Sequence, residues 1–225
     1  MPVIPIKGEE MECSSTITCK TLIIVEGKGD CTFLAALLRY MDIKVEGNIQ
    51  FKVLEGEDKY RTAFPALLND PGFSQLTAYA YIRDADKAEE SALQSVQRLL
   101  KSNSQPCPER AGSFAIKDEL KVGIFIMPGR GKSGSIEDLC LESVQDHAIM
   151  PYVKEYMDKV KQTQQQKAPK HPSKAKVQAF LSGMPKVCPH LGQAASQNIW
   201  NFNHEAFMPL RRFLCELMQA IPTSL

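Results

Sequence analysis

Thr21-Leu-Ile-Ile-Val25 is a short run of apolar and β-branched residues without polar alternation. Such a run fits a strand covered on both faces. Glu26-Gly-Lys-Gly29 follows as a turn. From Asp30 the period changes: Phe33, Leu34, Leu37, Leu38 and Met41 recur at helical spacing, with Asp30 placed as the N-cap. The theme then repeats. Ile49–Leu54 reads as a strand, Tyr60–Leu68 as a helix closed by Asn69-Asp-Pro-Gly72, Thr77–Ile82 as another buried strand and Lys87–Leu100 as a long helix. After a Pro/Ser loop over 102–112 come two more strand runs, Ser113–Ile116 and Val122–Met127. Ser135 and Asp138 are spaced as a capping box for a helix reaching Val144. Strands alternating with helices predict an α/β fold, a mainly parallel sheet with helices on both faces. Ligands of such sheets bind at the carboxyl ends of the strands.

Residues 147–225 carry almost no strand signal. The expected organisation is an N-terminal arm over 1–18, an α/β domain over 19–146 and a helical extension over 147–225. Lys161–Lys176 is polar and basic, with three consecutive glutamines at 164–166, and reads as a linker. Phe207, Leu210, Leu214, Leu217 and Met218 make a helical stripe that packs into a core, with Pro209 in the first turn.

Net charge is +1, from 27 basic and 26 acidic residues, so any attraction to phosphate must come from local patches. No run approaches the ~20 apolar residues of a membrane-spanning helix, and Met1–Lys20 has no apolar signal core. The expectation is a cytoplasmic protein with no membrane partner. Seven cysteines, an odd number without a CxxC pair, do not make a disulfide framework. Cys188 and His190 lack the second pair that a zinc site needs.

Four carboxylates fall where a parallel sheet would gather them. Glu26 ends the first strand, Asp30 opens the next helix, and Asp84 and Asp86 end the third strand. Residues two apart on an extended segment point the same way, so Asp84 and Asp86 are expected to share a face. Carboxylates in one cleft repel unless a cation neutralises them, and an all-oxygen donor set suits Mg²⁺ or Mn²⁺. Each residue taken singly also has a structural reading, as a helix cap or a solvated loop acid.

Val25-Glu-Gly-Lys-Gly-Asp30 resembles the VEGxxD opening of the Toprim superfamily, and Asp84-Ala-Asp86 is similar to its DxD motif, roughly sixty residues later. Gly134-Ser-Ile-Glu-Asp-Leu139 is similar to a stretch of small stand-alone Toprim-like proteins of uncharacterised function. The resemblance reaches to the overcoming-lysogenisation-defect nucleases and the ribosomal-RNA maturases, and covers roughly residues 19–146. It implies a Toprim-like, Rossmann-like sheet followed by the helical extension. It also implies Glu26 as general acid/base or metal ligand, and Asp84 and Asp86 as holders of Mg²⁺ or Mn²⁺. Asp30 follows as a further ligand, and Glu137 as a second-site ligand in preference to Asp138, which has a capping role.

Gly129-Arg-Gly-Lys-Ser133 resembles a phosphate loop but fails the GxxxxGK[ST] spacing, because position 126 is Ile. It still joins a strand to a helix N-terminus, where Arg130 and Lys132 could meet phosphate. Lys28, in the first turn, is another candidate phosphate contact. The leading expectation is Mg/Mn-dependent phosphodiester hydrolysis on DNA or RNA, with Glu26 as base and Lys132 or Arg130 offsetting charge. The alternative is a non-catalytic Toprim-like module that binds metal, nucleotide or a partner, with the helical extension as a surface for homo-oligomers. A phosphoacceptor receiver domain, phosphorylated at Asp84, is a third reading.

Overall fold

In the computed structural model the described residues are 2–5, 11–13, 16–54 and 57–221; for 2–5, 11–13 and 57–60 the backbone alone is described. Seven strands form one sheet: β1 (Pro2–Pro5), β2 (Met11–Cys13), β3 (Thr21–Val25), β4 (Ile49–Val53), β5 (Ala78–Asp84), β6 (Ser113–Lys117) and β7 (Leu120–Met127), in the order β2-β1-β4-β3-β5-β7-β6. The central four, β4-β3-β5-β7, are parallel. The outer strands are antiparallel, β1 on β4 with β2 beyond it, and β6 on β7. Strand segments from the first fifteen residues therefore extend the sheet at one edge.

Among the described residues eight α-helices surround this sheet: α1 (Lys28–Tyr40), α2 (Glu57–Leu68), α3 (Glu89–Ser102), α4 (Ile136–Ser143), α5 (Met150–Gln164), α6 (Pro172–Ser182), α7 (Leu191–Ser196) and α8 (Met208–Met218). Alternation along β3 divides the core. Ile23 and Val25 join one cluster with α1 and α4–α8, whereas Leu22 and Ile24 join a second with α2 and α3. All five residues of β3 are buried. The expected α/β fold with helices on both faces is present, and the C-terminal helices share a core with α1 and the sheet. Gly192 shows how closely: a Cβ there would lie 2.6 Å from Thr32 Cβ, so only glycine lets α7 seat on α1.

Several boundaries differ from the sequence expectation. Asp30 is not the N-cap of α1; Gly27 is, and Asp30 sits at the third helical position with its carboxylate turned back to Gly27. β5 runs on to Asp84, because Ala85 N–H still donates to Met127 O at 2.8 Å. Lys161–Lys176 is helical at both ends, since α5 continues to Gln164 and α6 begins at Pro172. Glutamine and lysine are good helix formers, so a polar composition did not exclude helix. Pro209 does lie in the first turn of α8, and Phe207, Leu210, Leu214 and Leu217 are buried. No helix among the described residues is long and apolar enough to cross a membrane.

Candidate functional site

The carboxyl ends of β3 and β5 face the N-termini of α1 and α4. Asp84 is the last residue of β5, and its Oδ1 accepts from the Ile136 N–H, in the first turn of α4, at 2.9 Å. Asp30 Oδ2 accepts from the Gly27 N–H at 2.9 Å. Each carboxylate thus takes up one orphan donor of a helix start, where negative charge is favoured. Each retains a second oxygen. Ser135 caps α4 as expected, with Asp138 Oδ2 accepting from Ser135 N–H at 2.8 Å. That occupies Asp138, which also accepts from Ser173 Oγ. Its neighbour Glu137 instead joins Asp30 and Asp84.

Electrostatics bind the trio together. Burial, then the Gly27 hydrogen bond in opposition, then the nearby Glu137, set Asp30; the balance raises its pKa from 3.8 to about 6. Asp84 is raised well above the usual carboxylate range, by burial first and then by Asp30 and Glu137. Glu137 Oε2 is buried without a hydrogen-bond partner, and Oε1 lies 3.9 Å from Lys174 Nζ. Lys174 comes from α6, and its charge partly relieves Asp30. Three carboxylates therefore sit in a low-dielectric corner, incompletely neutralised.

Glu26 stands at the margin of this group. Ile24 pairs with Tyr81 in the parallel register; two residues on, Glu26 comes beside Arg83. Arg83 Nε is 3.0 Å from Glu26 Oε1, with the arginine 8% and the glutamate 29% exposed. Glu26 still adds repulsion at Asp84, as the weakest of its electrostatic neighbours.

Asp86 does not continue the strand that carries Asp84, though both line one cleft. The strand ends at Asp84, Asp86 takes a positive φ of 51°, and its backbone pairs with Gly134 through two hydrogen bonds of 2.9 Å. Gly134 has φ 126°, and a Cβ on it would come within 2.7 Å of Asp138 Oδ2. Asp86 is exposed, as is Lys28 on α1. Arg130 and Lys132 turn to α4, where Arg130 Nη2 and Lys132 Nζ reach the two oxygens of Glu142 at 2.7 and 3.2 Å.

A cleft of about 650 Å³ opens over the rim, lined by Asp84, Asp86 and Asp138 on one side and by Lys170, His171 and Lys174 on the other. The sequence expectation missed Arg83, His171 and Ser173. Arg83 had a signal, a charged residue directly after the apolar strand run Thr77–Ile82; Ser173 had none. The donor set suits a hard cation, and a buried orphan such as Glu137 Oε2 is an atom that a cation would complete. As the side chains stand, no three His, Cys, Asp or Glu residues among those described are grouped to hold a metal ion. His190 caps α7 by accepting from the Gln193 N–H, and Cys188 Sγ lies 3.2 Å from Gln197 Oε1.

A family model described as "Protein of unknown function (DUF3226)" matches residues 20–219. No curated protein matches the sequence. Among solved structures, the chain is similar to the C-terminal region of the Xanthomonas campestris pv. campestris OLD protein, with 11% identity, a TM-score of 0.47, and coverage of 88% of this chain and 96% of that one. It is also similar to the C-terminal region of the Burkholderia pseudomallei OLD protein, with 11% identity, a TM-score of 0.39, and coverage of 89% of each chain.

Proposed function

The chain belongs to the DUF3226 family, described as of unknown function, and from its acidic site we propose that it hydrolyses phosphodiester bonds of nucleic acid with Mg²⁺ or Mn²⁺. The observation that supports this is the incompletely neutralised trio of Asp30, Asp84 and Glu137 at the carboxyl edge of a parallel sheet. Carboxylates that are costly to charge together without a counter-ion favour a cation. The resemblance of the Glu26–Asp30 and Asp84–Asp86 segments to Toprim enzymes agrees with the reading.

In this reading Asp84, Asp30 and Glu137 would hold the metal. When bound, the metal supplies an activated water and stabilises charge on the phosphoryl oxygens. Glu26, oriented by Arg83 through Oε1, would take a proton from the attacking water. Lys174 and Arg83 would offset charge that builds on the phosphate. Asp86, in the cleft wall, would add a ligand from outside the trio. Arg130 and Lys132 have no part while they hold Glu142.

The test is calorimetric titration of Mn²⁺ into the wild type and Asp84→Asn, with cleavage of single- and double-stranded oligonucleotides alongside. Asparagine retains an oxygen for the Ile136 N–H, so the fold is expected to survive. Binding and cleavage should both vanish in the variant. Metal-dependent cleavage that persists in Asp84→Asn sinks the proposal.

Two observations favour a second reading, a non-catalytic binding module. Glu26 is engaged by Arg83, and no three ligands are grouped among the described residues. That module would bind nucleic acid or nucleotide without turnover, whatever the metal supplied.

A further inference from the structure

The helical hairpin α5–α6 has a charge unlike the rest of the molecule. Residues 150–182 contain seven lysines and two acids. Removing these from the chain's 27 basic and 26 acidic residues leaves 20 basic against 24 acidic. A nearly neutral protein therefore concentrates its positive charge on one appendage. Lys159 pairs with Glu155 and Lys174 lies near Glu137; Lys154, Lys161, Lys167 and Lys170 are exposed.

The same hairpin exposes both of its tyrosines. Tyr152 and Tyr156 are one helical turn apart on α5 and are 71% and 57% exposed. They border a groove of about 650 Å³ between α5 and α6, floored by Val153, Val160 and Ala179. Most buried rings of this protein pack against another ring or a core cluster; these two present theirs to solvent.

The groove also adjoins the acidic cleft. Pro169 lines the groove, Lys170–Lys174 line the cleft, and Ala175 lines the groove again. The start of α6 is thus a wall common to both. A chain lying in the groove would reach the cleft across Lys170 and Lys174.

We infer that the α5–α6 groove is a docking surface for single-stranded nucleic acid, with bases stacking on Tyr152 and Tyr156 and Lys170 and Lys174 meeting the backbone where the groove joins the acidic cleft. Exposed rings combined with a basic track constitute the recognition chemistry of single strands, whose bases are free to stack. A duplex hides those faces. Positive charge concentrated on the hairpin of an otherwise acidic molecule selects a polyanion over a second copy of this chain. The inference rests on the proposed nucleic-acid function and adds the strandedness of the substrate.

The test is fluorescence anisotropy, in EDTA so that nothing is cleaved, with labelled oligothymidylate or oligouridylate of about fifteen nucleotides and a duplex of the same length. The wild type should bind a single strand at least tenfold more tightly than the duplex. Tyr152→Ala/Tyr156→Ala should lose about tenfold or more of that affinity, while Tyr152→Phe/Tyr156→Phe keeps it, because stacking needs the ring and not the hydroxyl. Both tyrosines are exposed, so the thermal midpoint should not move. Equal affinity for duplex, or single-strand binding unchanged in the alanine variant, overturns the inference. If either result accompanies metal-dependent cleavage, the proposed function stands and only this surface fails. No binding and no cleavage of any oligonucleotide overturns both, and self-association lost in the alanine variant would assign the groove to a second copy.

Discussion

Two clusters of charged residues lie along the same edge of the sheet and end in different states. At the ends of β3 and β5, Asp30, Asp84 and Glu137 face one another, and burial and mutual repulsion push Asp30 and Asp84 upward. In the loop after β7, Arg130 and Lys132 close on Glu142. Burial alone would raise Glu142, but the hydrogen bonds and charges of the two cations outweigh it and hold the carboxyl below its usual range. One cluster is satisfied by the chain itself and explains a loop conformation. The other is not, and it is there that the proposed cation would sit. From sequence, the satisfied cluster read as a candidate phosphate contact and the other as a candidate metal site. Internal neutralisation is what tells them apart.

The strongest way to sharpen this contrast is at Arg83, the buried cation beside the unsatisfied cluster. Arg83→Met removes the partner of Glu26 from a site already rich in carboxylates, and should cost about 3–5 kcal/mol, read from the urea midpoint at neutral pH. A loss under about 1 kcal/mol would mean that solvent already screens this pair.

A second effect concerns pH. Asp30 and Asp84 bind their protons more tightly folded than unfolded. Stability without divalent cation should therefore fall as pH rises from the ordinary carboxyl value of 3.8 through about 6. Asp84→Asn removes one of the repelling charges and should flatten that fall, raising the metal-free thermal midpoint at pH 7 by about 2–4 °C per kcal/mol relieved. Mn²⁺ should do the same to the wild type and nothing to the variant. Parallel pH profiles for the two proteins would dissolve the distinction between the clusters.

The smallest effect belongs to the satisfied cluster. Glu142→Gln breaks two partly exposed ion pairs and should cost no more than about 1 kcal/mol. Mn²⁺ affinity should be unchanged. A variant that loses Mn²⁺ binding would bring the β7–α4 loop back into the site.

Much of the fold was legible from local patterns. The run Thr21–Val25 had to be a covered strand, and β3 has those bounds. The Ser135/Asp138 capping box formed as spaced, which set Asp138 apart from Glu137. Other readings failed where a local rule met a longer-range one. Asp86 was assigned to the face of Asp84 on the assumption of continuing extension, but pairing with Gly134 turns the backbone to positive φ there. Asp30 was read as a cap by its position alone, whereas it caps from the third helical residue. The polar stretch 161–176 was read as a linker, yet its ends belong to α5 and α6.

Sequence by itself determined the alternation of strands and helices, hence the sheet, its carboxyl edge, and the acids and glycines placed there. Those are consequences of period, capping and turn chemistry, which act over a few residues. Tertiary structure decided which charges meet. It set Lys174 beside Glu137 across 37 positions of sequence and Arg83 beside Glu26 across neighbouring strands. It also left Tyr152 and Tyr156 exposed beside a groove between α5 and α6. Coulomb interactions depend on distance and dielectric, not on order along the chain. A list of charged residues therefore becomes a site only once packing has fixed both.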